Sequence, residues 1–137
     1  MFLHRGERVD NGEIFPHEDI PSIDTLERRW AGDERPGSTS VLDDMFYLSG
    51  EIPRTTSYEK GIPIHTKRDD LEADWQPDPL LMDERYVAVN LRGKGNMIFT
   101  ACSHTGRTNI LRGARDTFSP TPLYGVMGGF HLAGKLF

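Results

Sequence analysis

The feature that most constrains this chain is the run from Arg85 to Leu132, in which apolar stretches stop abruptly at histidines flanked by small residues. Tyr86-Val87-Ala88-Val89-Asn90-Leu91 alternates with a strand period, Arg92-Gly93-Lys94-Gly95 is a turn, and Asn96-Met97-Ile98-Phe99-Thr100 returns, which predicts a β-hairpin. The second arm runs into Ala101-Cys102-Ser103-His104-Thr105-Gly106. The segment from Thr108 to Phe118 then favours a helix, with Ile110, Leu111 and Ala114 on one side. A further strand, Leu123-Tyr124-Gly125-Val126-Met127, leads into Gly128-Gly129-Phe130-His131-Leu132. Strand, loop with His, helix, strand, loop with His is a β-α-β progression, and it would bring His104 and His131 to the same edge of one sheet. The expected class is α/β.

The rest of the chain is less regular. Met45 to Ser49 reads as a strand ended by Gly50. Residues 1–40 form an irregular lead-in rich in charge, Gly and Pro, with one short helical candidate from Ser22 to Trp30. Pro53 to Pro79 reads as an irregular excursion, and long loops inside domains are usually functional or disordered.

Four segments stand in an order that carries more than their separate chemistry: Gly50-Glu51-Ile52-Pro53-Arg54 through Glu59, Trp75-Gln76-Pro77-Asp78-Pro79 through Asp83-Glu84, Cys102-Ser103-His104-Thr105-Gly106, and Gly128-Gly129-Phe130-His131-Leu132. In that order the chain, from roughly Asp10 to Gly134, resembles the metallo-β-lactamase superfamily. Within it, the likeness is to the branch of metal-dependent hydrolases related to dihydropterin–ribofuranosylaminobenzene phosphate synthase. The resemblance implies a portion of an αββα sandwich with a mixed sheet and strand-end histidine loops, and a zinc or other divalent metal cofactor, two ions in a complete relative. It also implies attack by a metal-bound hydroxide on an ester, amide or phosphoester, and a small-molecule substrate that is phosphorylated or heteroaromatic.

The chain also departs from that family. Members carry a His-x-His-x-Asp-His motif, whose close spacing supplies most of the metal ligands. Here the five histidines, His4, His17, His65, His104 and His131, are scattered. The family pattern continues beyond Gly-Gly-Phe-His-Leu, whereas this sequence ends at Phe137. The expectation is therefore one partial domain over residues 1–137, with residues 41–137 carrying the motifs, completed by missing flanks or a second chain. A non-catalytic remnant that serves as a binding or interaction module is the alternative.

By the resemblance, His104 is a metal ligand and His131 a metal-proximal or substrate-polarising group. From the sequence alone, each also reads as an ordinary loop histidine. Gly128 and Gly129 would open space for substrate beside His131. Adjacent carboxylates on a strand point to opposite faces, so only one of Asp83 and Glu84 can serve a site. Asp83 is expected to orient a ligand histidine, and Glu84 to be solvated charge. Glu51 and Arg54 either contact a substrate phosphate or carboxylate or form a structural ion pair. Cys102 lacks the basic surroundings of a nucleophile. Trp75 packs its loop against a sheet or walls a pocket for an aromatic substrate.

Composition excludes several classes. The formal net charge is −5, with Lys and Arg dispersed, so nucleic acid is not expected as a partner. A single cysteine excludes an internal disulfide framework. Met1 to Arg5 is too short an apolar run for a signal peptide, and no stretch approaches the roughly 20 apolar residues of a membrane span. These features together give a cytoplasmic expectation. The hydrophobic fraction is 36%, lean for a domain of this size. If the chain is half of a sandwich, one sheet face would lie bare.

Overall fold

The computed structural model describes residues 4–17, 37–43 and 45–130. It is mostly sheet, with two sheets and one helix among the described residues. The chain divides into two compact units, one formed by Met1–Glu34 with Ile62–Pro79 and the other by Arg35–Gly61 with Leu80–Phe137.

The first unit holds a four-stranded antiparallel sheet. Its strands are β1 (His4–Arg8), β2 (Ile14–Pro16), β5 (His65–Arg68) and β6 (Gln76–Pro77), in the order β2-β1-β5-β6. Two of these strands lie in the stretch expected to be an irregular lead-in and two in the expected excursion. Neither stretch shows apolar alternation: β1 is His-Arg-Gly-Glu-Arg and β5 is His-Thr-Lys-Arg. The strands exist through pairing with each other, so tertiary context overrides weak local preference. The helix expected over Ser22–Trp30 lies outside the described residues. Trp75 belongs to this unit, and the Arg68 guanidinium sits 4.6 Å from its ring centroid. That contact favours the reading in which the indole packs its own loop onto the sheet.

The second unit holds a five-stranded mixed sheet. Its strands are β3 (Thr39–Val41), β4 (Phe46–Leu48), β7 (Tyr86–Leu91), β8 (Gly95–Thr100) and β9 (Leu123–Met127), in the order β3-β4-β7-β8-β9. The expected hairpin is β7–β8, registered Tyr86↔Thr100 through Leu91↔Gly95. Helix α1 (Arg107–Phe118) connects β8 to β9, which run parallel as a crossover through a helix requires. Ile110 and Ala114 of α1 pack with Ile52, Tyr86, Ala88 and Ile98 into one buried cluster. The hairpin residues in that cluster are alternate ones, Tyr86 and Ala88 on β7 and Ile98 on β8, as the period of a half-buried strand dictates. Val87, Val89, Met97 and Phe99 occupy the opposite face, where Phe99 is exposed. The parallel pairing carries the C-terminal ends of β8 and β9 to one edge of the sheet, which fixes where their histidine loops emerge.

Candidate functional site

The loop after β8 is held in shape from several directions. Ser103 adopts φ 60, in the left-handed region, and is buried. Its hydroxyl donates to the Gly129 carbonyl at 2.7 Å, and Gly129 N donates to the Ala101 carbonyl at 2.6 Å. The Cys-Ser-His and Gly-Gly-Phe segments are thus in direct contact at the sheet edge, as the β-α-β reading anticipates. Gly128 has a structural reason beside any role in substrate access. A Cβ there would collide with the Thr100 carbonyl, so the close approach of the two strand ends requires glycine.

His104 follows Ser103 and is half-buried. Its backbone N–H donates to Glu84 Oε1 at 3.0 Å, and that of Thr105 donates to Glu84 Oε2 at 2.5 Å. Asp83 is exposed. Glu84, expected to be solvated, thus engages the histidine loop. The β7–β8 register, from Tyr86↔Thr100 onward, brings the residues just before β7 alongside the turn that leaves β8.

Arg54 donates to the carbonyls of Leu80, Glu59 (3.3 Å) and Thr105 (3.4 Å). Its guanidinium holds three backbone segments together through their carbonyls, a structural role other than the Glu51 ion pair that is one of the two readings for it. Burial lowers its proton affinity, opposed by the charges of Glu84 and Glu59. Glu51 is exposed and lines a different feature, a cleft of about 530 Å³ bounded also by Tyr47, Ser49, Tyr86, Arg112 and Asp116. Neither Arg54 nor His104 lines it.

Two residues that the sequence reading passed over complete the arrangement. Glu59 accepts hydrogen bonds from the N–H groups of Thr108 (2.8 Å) and Asn109 (2.9 Å), placing a carboxylate on the open first turn of α1. Gly106, at φ 100, is the N-cap and has no side chain to do this, and any Cβ there would strike the Glu59 side chain. Asn109 is fully buried. Its Oδ1 accepts from Thr55 N at 2.7 Å and Thr56 N at 3.0 Å, and its Nδ2 donates to the Thr105 carbonyl at 2.8 Å. An asparagine next to the apolar stripe of a helix is a signal that could have found it, because Asn is a weak helix former whose amide suits backbone partners.

His131 lies outside the described residues. Among the described residues, no three His, Cys, Asp or Glu side chains are grouped so as to hold a metal ion. His104 therefore stands as one candidate ligand, and the described residues do not form a metal centre by themselves. Cys102 is exposed, not buried as lone cysteines often are. No helix among the described residues is long and apolar enough to cross a membrane.

No family model and no curated protein matches the chain. A solved structure described as Tm1679, a metal-dependent hydrolase of the β-lactamase superfamily, is similar in fold. The two superpose with a TM-score of 0.59 at 24% identity, over 72% of this chain and 35% of that one. The chain thus shares part of that protein's fold and spans about a third of its length.

Proposed function

We propose that this chain is part of an αββα metallo-β-lactamase-type protein, a metal-dependent hydrolase or synthase acting on a small molecule. His104 serves as a metal ligand, and the other ligands come from His131 and from residues that this chain does not contain. The observation that carries this reading is the convergence of the two motif loops at one sheet edge, locked by the Ser103–Gly129 hydrogen bond, within a fold shared with a metal-dependent hydrolase. A phosphorylated or heteroaromatic substrate follows from the sequence resemblance alone and is a family-level analogy.

Elemental analysis after loading with zinc or manganese tests the proposal. With part of the ligand set outside this chain, the native chain should retain metal weakly but measurably above the His104→Ala, His131→Ala double variant. Equal metal in both would exclude these histidines as ligands. It would leave the other reading, a binding or interaction module on this fold.

A further inference from the structure

We propose that Glu84 is a positioning residue for His104, acting through the backbone of the histidine loop. The inference rests on the reading that the His104 side chain is functional, and adds what fixes its place. A functional side chain must be held to within about 0.5 Å of its working geometry, and loops hold such geometry less well than strands or helices. Here one carboxylate spans two consecutive amides, those of His104 and Thr105. Hydrogen bonds to an ionised acceptor are about twice as strong as neutral ones. The two amides converge because Ser103 turns the chain at φ 60, a conformation that costs free energy and persists only where the surroundings enforce it.

Three further contacts supply that enforcement: Ser103 Oγ on Gly129 O, Arg54 on Thr105 O, and Asn109 Nδ2 on the same carbonyl. Glu84 differs from the others because it grips His104 itself. It also stands two residues before β7, so the position of the histidine is referenced to the start of the most regular part of the sheet.

The test compares the full chain with Glu84→Ala and Glu84→Gln by NMR, reading amide exchange at His104 and Thr105 and the imidazole Cε1–H resonance of His104. The Ala variant should lose about tenfold or more of the protection at both amides, while Ala88 and Ile98 keep theirs, and its imidazole resonance should move toward the unfolded-chain position. The Gln variant, whose side chain has one acceptor oxygen, should keep protection at one amide and restore much of the native imidazole signal. An imidazole resonance unchanged in the Ala variant overturns the proposal, even if the amides exchange faster. If the Ala variant does not fold, the Gln variant decides: a native imidazole signal with both amides unprotected overturns the proposal. No metal enters this experiment, so failure of the chain to retain zinc would count against the hydrolase reading and leave the role of Glu84 standing.

Discussion

Among the described residues, the two units bury different kinds of side chain. Arg35–Gly61 with Leu80–Phe137 stands on an apolar cluster, Ile98 and Ile110 at its centre with no exposed surface, and the polar groups buried in this unit, Asn109, Ser103 and Thr105 among them, tie loops to that cluster. In Met1–Glu34 with Ile62–Pro79, the buried polar groups are His65, Thr66 and Asp78, and Ile62 is the single buried apolar residue among those described. There Asp78 gathers Arg5 at 3.6 Å, and Lys67 and His65 at 3.9 Å. Apolar burial is non-directional, whereas charge clusters depend on protonation and on each partner staying in place. The loops after β8 and β9 belong to the unit with the apolar cluster.

The contrast can be broken most sharply at Ile98. Ile98→Ala should cost about 2–5 kcal/mol in denaturant unfolding followed through signals of the helix-bearing unit. A cost below about 1 kcal/mol would mean that the cluster is not what stabilises it. Asn109→Ala comes next, at about 2–3 kcal/mol, because it strips partners from the buried amides of Thr55 and Thr56 and from the Thr105 carbonyl. The same measurement with wild-type-like stability would show that the 55–56 loop is held by something else.

In the other unit the expected signature is pH dependence. Burial, and then the neighbouring Arg5, lower the pKa of His65, with Asp78 opposing. The unfolded chain takes up this proton near pH 6.5 and the folded unit only at lower pH. Between those values the unfolded state binds more protons, so stability is lost as pH falls below about 6.5. Comparing wild type with His65→Leu across pH 5–8 isolates this contribution, which should vanish in the variant. An identical pH slope in both would contradict the account. The smallest effect is expected at Lys67, whose side chain is 39% exposed. Lys67→Ala should change stability by no more than about 1 kcal/mol, and a larger loss on thermal unfolding would show that Asp78 depends on it.

What could be read in the sequence follows the same division. The β7–β8 hairpin, α1 and β9 are visible because apolar residues recur at the period of each element and Gly93 marks the turn. β1 and β5 are invisible because His, Arg, Lys and Glu occupy them, and only pairing makes them strands. The meeting of the His104 and Gly129 loops could be inferred from β-α-β logic. The role of Glu84 could not: alternation says that Asp83 and Glu84 face opposite ways, but not which of them meets the amides of His104 and Thr105. Arg54 shows the same limit, since its three carbonyl partners lie at Glu59, Leu80 and Thr105, separations that leave no local pattern.

The central claim is that chemistry resides at His104 in the apolar unit and not among the histidines of the charged one. Zinc titration of the full chain, followed through the imidazole Cε1–H resonances of all five histidines, tests this directly. The account predicts that His104 and His131 respond together at the lowest zinc while His17 and His65 stay unchanged. A response led by His17 and His65, or none at His104, would contradict it.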